Sequence, residues 1–225
     1  MGAIKNKIKN NSFSLKIIMV FRRIFRKNVI KKIRGNVLHI QGMMKGACIK
    51  INGKNNQVEI KKAITNLGLT VFINGSNNKV TVEENCVLKN LCIWIEDDNN
   101  EVFIGKNTLI CGETKLSCIE STRISIGEDC MFSNAIDVRT GDSHSILDEN
   151  GKRINPSKDV IINDHVWIGH GVTILKGATV SRDSICATKA VVTKEFTQSN
   201  VVIAGNPAKI IKENINWDKA RLPIE

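Results

Sequence analysis

Short aliphatic segments recur at a fixed interval through the middle of the chain. Residues 58–60, 80–82, 102–104 and 124–126 follow one another at steps of 22 residues, and an Asn pair precedes each of the first three. Repetition at a period of this length is the signature of a solenoid, in which each repeat packs only on its neighbours. The pattern therefore predicts stacked coils rather than a layered globular core.

Further along, the interval shortens to six residues. Two sets of small or aliphatic residues keep this step: Ile162, Ile168, Ile174, Val180, Cys186 and Val192, and, four residues later in each unit, Val166, Val172, Ala178, Ser184 and Ala190. The longer units contain the same step with four extra residues, since 22 is three sixes plus four. Three six-residue strands per turn predict a triangular coil with a parallel sheet on every face and aliphatic side chains inside.

The Asn pairs are predicted to lie at the corners of these coils. Asn accepts left-handed backbone angles more readily than other non-glycine residues, and its amide can bond to the equivalent Asn one coil away. The fold class predicted from the pattern is all-β, a parallel β-helix.

The positive charge is concentrated at the N-terminus. Residues 1–34 contain eleven of the 33 Lys and Arg residues and none of the 22 acids, so the rest of the chain is electrically balanced. Apolar side chains recur there at helical spacing: Phe13, Ile17, Val20, Phe21, Ile24 and Phe25. This pattern predicts a basic amphipathic helix that either binds an anionic membrane surface or packs on the domain as a cap. No nucleic-acid-binding motif follows, so a nucleic-acid partner is not expected.

The amino-acid composition limits the kind of core, the cellular location and the role of the cysteines. Hydrophobic residues make up 42% of the chain but aromatic residues only 4%, so the core must be aliphatic. No apolar run approaches the roughly 20 residues of a membrane span, and no secretory signal is present, which predicts a cytoplasmic protein, peripheral at the inner face of the membrane if the N-terminal segment binds there. The seven cysteines include no CxxC pair and are expected to be buried thiols rather than disulfides or zinc ligands.

Three further segments carry a family resemblance. Residues 164–169 (DHVWIG) open the hexapeptides, residues 191–194 (VVTK) close them, and residues 205–209 (GNPAK) follow. Together they resemble the hexapeptide-repeat acyltransferases, specifically the galactoside, maltose and capsular-polysaccharide O-acetyltransferase branch. The resemblance covers roughly residues 47–213. It implies a left-handed β-helix, acetyl-CoA as co-substrate, no required metal, a homotrimer with each active site between two copies, and a sugar or polysaccharide acceptor.

The repeat is interrupted by a polar stretch that carries a histidine. Residues 139–159 break the pattern, and His144 is the only histidine among them. In the family this loop carries the catalytic histidine, so the resemblance implies that His144 is a general base that deprotonates the acceptor hydroxyl. A carboxylate, Asp142 or Asp148, is the candidate for holding its tautomer. The alternative is that His144 is an ordinary solvent-exposed histidine of a loop, without a catalytic role.

The remaining site residues are carried over from the family by position. Trp167 precedes an inward-facing residue and should point outward, as a platform for a ligand or at a subunit interface. Six residues match family positions that line acetyl-CoA: His170, Thr188, Thr193, Lys194, Lys209 and Lys212. The lysines would lie near the phosphates, or else be ordinary surface charges. Lys189 stands where relatives carry a small residue.

Three alternatives remain for the function. His165 and His170 are five residues apart, like the zinc ligands of γ-class carbonic anhydrases, with His144 as the only candidate third ligand. N-acetylation of an amino sugar makes similar demands on a base, and a solenoid without chemistry would leave the His144 loop unexplained. The favoured prediction is an acetyl-CoA-dependent sugar O-acetyltransferase in bacterial surface polysaccharide synthesis, with the His144–Trp167 arrangement most similar to capsular sialic-acid polymer O-acetyltransferases.

The chain is thus predicted to contain three parts. Residues 1–34 form the basic N-terminal segment, residues 35–204 the β-helix with its inserted loop 139–159, and residues 205–225 a C-terminal tail.

Overall fold

The computed structural model describes residues 28–224 and shows a three-sided prism of parallel β-strands. The described residues contain strands, turns and irregular segments but no helix, so the predicted N-terminal helix lies outside them and no membrane-spanning helix is found among them. Coils of three strands stack so that each strand pairs with the equivalent strand of the next coil. The predicted parallel β-solenoid is therefore confirmed.

Three eight-stranded sheets form the faces. The first sheet contains β1 (Val29–Lys32), β3 (Cys48–Asn52), β6 (Thr70–Asn74), β9 (Leu91–Glu96), β12 (Thr114–Cys118), β15 (Ile136–Arg139), β18 (Thr173–Ile174) and β21 (Val191–Val192). The second contains β2 (Val37–Ile40), β4 (Gln57–Ile60), β7 (Lys79–Val82), β10 (Glu101–Ile104), β13 (Arg123–Ile126), β16 (Val160–Ile162), β19 (Thr179–Val180) and β22 (Glu195–Phe196). The third contains β5 (Thr65–Leu67), β8 (Val87–Lys89), β11 (Leu109–Ile110), β14 (Met131–Phe132), β17 (Trp167–Ile168), β20 (Ile185–Cys186), β23 (Val202–Gly205) and the antiparallel β24 (Ala208–Lys212).

The interior of the prism is a set of aliphatic columns. In the first sheet one fully buried column runs through seven coils: Ile49, Val71, Ile93, Leu116, Val138, Ile174 and Val192. Side chains alternate between the interior and the surface along each strand, as the pleat requires. The residues predicted to repeat every six are likewise buried: those of the first set occupy the inward position of a short strand, and those of the second set directly precede one.

The two members of each Asn pair have different tasks. Asn55, Asn77 and Asn99 adopt left-handed φ angles of 57°, 58° and 60° at the surface of the turn. The second members are buried and join one coil to the next, with side-chain bonds of 2.9 Å from Asn56 to Asn36, 3.0 Å from Asn78 to Asn56 and 3.1 Å from Asn100 to Asn78. Both predictions for the pairs are confirmed.

This asparagine ladder continues into the base of the inserted loop. The amide of Thr122 donates to the Asn100 side-chain oxygen at 3.1 Å, and the Thr122 hydroxyl bonds to that of Thr140 at 2.7 Å. Thr140 is fully buried and is the first residue after β15. The ladder therefore fixes the point at which the loop leaves the prism.

The prism begins earlier than the sequence pattern suggested. β1 pairs with β3 over four residues, so its strand lies within the predicted N-terminal segment of residues 1–34. At the other end, β24 folds back on β23 and ends the third sheet. The predicted tail from residue 205 thus starts inside this hairpin.

The cysteines are all free thiols. Four are buried, and burial raises the pKa of Cys130 and of Cys186 to about 12. Cys48 and Cys92 are half-buried and Cys111 is exposed, so the expectation of buried thiols holds for only part of the set.

Candidate functional site

The inserted loop connects the first sheet to the second and projects from that edge of the prism, named here the loop edge. Its two arms pair as a small hairpin, in which the amide of Ile154 donates to the carbonyl of Ile146 at 2.9 Å and an antiparallel bridge joins Leu147 to Arg153. Paired residues of β13 and β16 are 36 residues apart in the sequence, whereas the preceding pair of strands in this sheet is offset by 22 and the following pair by 18, and the difference accommodates the insertion. The loop is therefore an ordered excursion rather than a break in the stack.

Asn155 ties the two arms together. Its side-chain nitrogen donates to Oδ2 of Asp142 and to the carbonyl of His144, each at 2.8 Å. Its side-chain oxygen accepts the amide of Ile146 at 2.8 Å and Nε of Arg153 at 3.1 Å. Asn155 is only 7% exposed, so these bonds are shielded from solvent.

The next coil holds the start of the loop through Lys176. Its Nζ bonds to Oδ2 of Asp142 at 2.5 Å, and this ammonium, followed by the amide of Asn155, lowers the pKa of the Asp142 carboxyl. Ion pairs of this partly exposed kind contribute little stability individually, but here the pair joins two coils. Oδ2 of Asp142 is thus shared by Lys176 and Asn155.

The preceding coil holds the end of the loop through Glu120. Arg153 Nη1 lies 2.6 Å from Glu120 Oε1, and the amide of Ser157 donates to Oε2 at 3.1 Å. Arg153 and then Ser157 lower the pKa of Glu120, although its burial opposes this. The loop is consequently anchored on both sides, to Glu120 and to Lys176.

His144 is the exposed residue that this framework presents. Its carbonyl is held by Asn155, whereas its imidazole makes no hydrogen bond with any of residues 28–224. The other candidate carboxylate, Asp148, accepts the amides of Asn150 and Lys152 in the hairpin tip, at 2.9 and 2.8 Å. Neither candidate carboxylate therefore contacts the ring within one chain, and a tautomer-holding role for Asp142 or Asp148 stays a prediction.

Trp167 faces outward as predicted, but it is half-buried rather than open. The C-terminal tail descends along the edge between the second and third sheets, named here the tail edge, and brings Trp217 to within 6.0 Å of Trp167 between ring centroids. Trp217 also stacks on His165 at 4.3 Å and donates to its carbonyl at 2.9 Å. Nothing in the sequence pattern pointed to Trp217, because an isolated Trp in a tail carries no periodicity.

The residues matched to the coenzyme positions are all exposed and are distributed over separate parts of the prism. His170 and Thr188 lie at the third edge, between the third and first sheets, whereas Thr193 and Lys194 lie at the loop edge, between β21 and β22. The other two, Lys209 and Lys212, belong to β24. Within one chain, only Thr193 and Lys194 share the loop edge with His144, two strands farther along the first sheet.

The histidines of the zinc alternative are also separated. His165 lies at the tail edge, where its Nδ1 is 2.9 Å from Asp183 Oδ1, and His170 lies at the third edge. His144 is at the loop edge. Within residues 28–224 of one chain, no group of three His, Cys, Asp or Glu side chains is placed to hold a metal ion.

Two solved structures of known proteins are similar to this chain over most of its length. The structure aligns with a crystal structure of NeuO, described as a polySia-specific acetyltransferase, at 35% identity and a TM-score of 0.73, covering 87% of this chain and 88% of that one. A second, the polysialic acid O-acetyltransferase OatWY, aligns at 32% identity and a TM-score of 0.65, with 87% and 89% covered. The chain belongs to the hexapeptide-repeat acetyltransferases.

The sequence match to this family is shorter than the structural match. A polysialic acid O-acetyltransferase of Neisseria meningitidis is 39% identical over 109 residues, which is 48% of this chain and 51% of the relative. The chain thus matches about half the length of that curated relative. No family model matches the chain. Membership of the hexapeptide-repeat acetyltransferases therefore rests on the two structural alignments, each of which covers 87% of this chain.

Proposed function

We propose that the chain is an acetyl-CoA-dependent O-acetyltransferase that modifies a sugar hydroxyl in an acidic polysaccharide of the bacterial surface. The observation that carries the proposal is the His144 loop: a hairpin anchored to two coils presents one solvent-exposed imidazole. The relatives that share the whole prism, NeuO and OatWY, are both described as acetyltransferases of polysialic acid. An acidic sugar polymer is therefore the first acceptor to test.

His144 supplies the proton transfer in this reaction. Its neutral imidazole takes the proton of the acceptor hydroxyl as the oxygen attacks the thioester carbonyl, and the imidazolium then returns the proton to the departing thiolate. The acetyl group passes directly to the sugar oxygen, so no acyl-enzyme is formed. A backbone N–H is the expected donor to the developing oxyanion.

The lysines suit the phosphate end of the co-substrate. Lys194, Lys209 and Lys212 are exposed, and none forms an ion pair with residues 28–224. Three unpaired ammonium groups near one end of the prism favour binding of an anion. Thr188, Thr193 and His170 would line the less charged part of acetyl-CoA.

The separation of the site residues supports a homotrimer. His144 and His170 lie at different edges of one prism, so a complete site needs the loop edge of one copy beside the third edge of another. The hairpin also carries three apolar side chains that are more than half exposed: Ile146 (55%), Leu147 (55%) and Ile154 (56%). A neighbouring copy would cover them.

The basic N-terminal segment supports action at the cytoplasmic face of a membrane. Residues 1–27 lie outside the described part, but they directly precede Asn28 and β1, and β1 lies at the end of the prism remote from β23 and β24. Anionic lipid would bind the positive charges of the N-terminal segment and leave the coil that carries the His144 loop accessible.

Binding of acetyl-CoA and transfer to polysialic acid test the proposal together. Calorimetric titration should give micromolar binding, on the order of −7 to −8 kcal/mol, and the acetylated polymer should be detected by mass spectrometry. His144→Ala should lower kcat by on the order of 10²- to 10⁴-fold without weakening acetyl-CoA binding.

The exposed His39 in β2 provides the matched control. His39→Ala should leave kcat unchanged. Absence of acetyl-CoA binding would exclude the acyltransferase, unchanged turnover of His144→Ala would exclude this base, and transfer only to amino sugars would indicate N-acetylation.

A further inference from the structure

The residue next to the proposed base has a left-handed backbone. Ser143, directly before His144, has a φ of 64° and lies outside the regular turns of the prism. This conformation is unfavourable for a side-chain-bearing residue, and it persists only where surrounding contacts hold it.

One side-chain amide spans Ser143 from both sides. Asn155 Nδ2 donates to the carboxylate of Asp142, the residue before Ser143, and to the carbonyl of His144, the residue after it, both at 2.8 Å. Its Oδ1 accepts the amide of Ile146. The contacts of Asn155 therefore fix the path of the chain immediately before and after the histidine.

Asn155 is itself held in place. Arg153 Nε bonds to its side-chain oxygen at 3.1 Å, and Arg153 Nη2 bonds to its carbonyl at 3.2 Å. Arg153 is in turn paired with Glu120 of the preceding coil, and Lys176 of the following coil approaches the Asn155 carbonyl at 3.4 Å. The position of the Asn155 side-chain amide is thus set by contacts with the neighbouring coils of the prism and not by the loop alone.

We propose that Asn155 is the positioning residue for the acetyl-transfer base: by bonding to Asp142 and to the His144 carbonyl, it holds Ser143 in the left-handed conformation that sets where the imidazole projects. This inference rests on the proposed function of His144 as the base. A small displacement of a catalytic group lowers turnover strongly, since transfer requires the reacting atoms to be aligned.

Asn155→Asp isolates the donor bonds. The carboxylate has nearly the same shape and can still accept from Ile146 and Arg153, but it cannot donate to His144 and it places a like charge beside Asp142. We expect kcat to fall roughly 10- to 100-fold while the KM for acetyl-CoA is unchanged. Asn150→Asp is the matched control at the exposed hairpin tip and should keep full kcat.

A double-mutant cycle separates positioning from general damage. If Asn155 acts through His144, Asn155→Asp should change kcat by less than about 3-fold when His144 is already Ala. An equal loss in both backgrounds would overturn the inference, as would full activity of Asn155→Asp in the wild-type background.

Hydrogen exchange gives a readout that does not depend on turnover. Backbone amides of residues 142–146 should exchange faster in Asn155→Asp than in the wild-type chain, and should be unchanged in Asn150→Asp. Unchanged exchange in Asn155→Asp would refute the inference whatever the activity. A wild-type chain that neither binds acetyl-CoA nor acetylates polysialic acid would instead refute the proposed function, so the two failures are distinct.

Discussion

Replacing adjacent asparagines by alanine should have very different costs. Asn78 is buried, and its side chain donates to Asn56 Oδ1 and to the carbonyl of Asp97, both at 3.0 Å. Its Oδ1 accepts the backbone and side-chain nitrogens of Asn100, at 2.8 and 3.1 Å. Asn78→Ala leaves the Asn100 amide and the Asp97 carbonyl without these partners. At about 1–3 kcal/mol for each of these two buried groups, the expected loss is about 2–6 kcal/mol.

Asn77→Ala removes much less. Asn77 is exposed and makes one long side-chain contact, 3.3 Å from Asn55 Nδ2, so its main contribution is tolerance of its φ of 58°. Alanine at a left-handed position should cost about 1 kcal/mol, and Asn77→Gly should cost close to nothing. The two alanine variants have the same composition, which makes each the control for the other.

Thermal unfolding followed by circular dichroism measures the difference. For a chain of this size about 1 kcal/mol corresponds to roughly 2–4 °C, so Asn78→Ala should lower Tm by about 10 °C and Asn77→Ala by about 3 °C. Similar losses in the two variants would refute the division of tasks within the Asn pair. A loss confined to Asn77→Ala would show that backbone conformation, rather than the ladder, holds the corner.

Three further predictions concern the loop, the tail and the N-terminal segment. Because Lys176 lowers the pKa of Asp142, the ion pair between them is complete above the usual pKa of a carboxyl group and is lost as pH falls through the lowered pKa. Lys176→Met should raise the titration midpoint of the Asp142 carboxyl carbon measured by NMR, and an unchanged midpoint would contradict the pairing. Trp217→Ala should uncover Trp167 and increase quenching of tryptophan fluorescence by iodide, whereas equal quenching would show that the tail does not cover it. Deletion of residues 1–27, which spares β1, should abolish binding to anionic vesicles, and retained binding would place the membrane contact elsewhere.

The coils were predictable because their energetics are local. Most inward aliphatic residues pack on a copy 22 or 18 residues away, and the identity of that copy is visible as repetition. The asparagine ladder follows the same rule, since Asn56 and Asn78 are equivalent positions. Sequence periodicity and spatial neighbourhood coincide wherever the stack is regular.

The start of the prism was not predictable from the same pattern. Val29 and Ile30 of β1 continue the basic, apolar-spaced composition of the preceding residues, and the strand does not alternate between buried and exposed positions. An end strand has a neighbour on one side only, so its inward side chains are incompletely covered and the period-2 signal weakens.

The contacts that organise the candidate site were also invisible in the sequence. Lys176 meets Asp142 across 34 residues, and Trp217 meets His165 across 52. Both pairs join an irregular segment to a coil, so neither has a second copy to reveal it. The family resemblance indicated His144 without indicating which residues hold it.

The stacking rule has a consequence for how this architecture can change length. Because every ladder contact links a coil only to its immediate neighbours, insertion or removal of one whole 22-residue unit near Asn78 would leave Thr140 and the His144 loop with the same surroundings. The distance along the prism between β1 and the His144 imidazole can therefore change only in steps of about 4.8 Å, the spacing of one coil. The number of N-terminal coils can thus vary without changing the residues that surround the His144 loop.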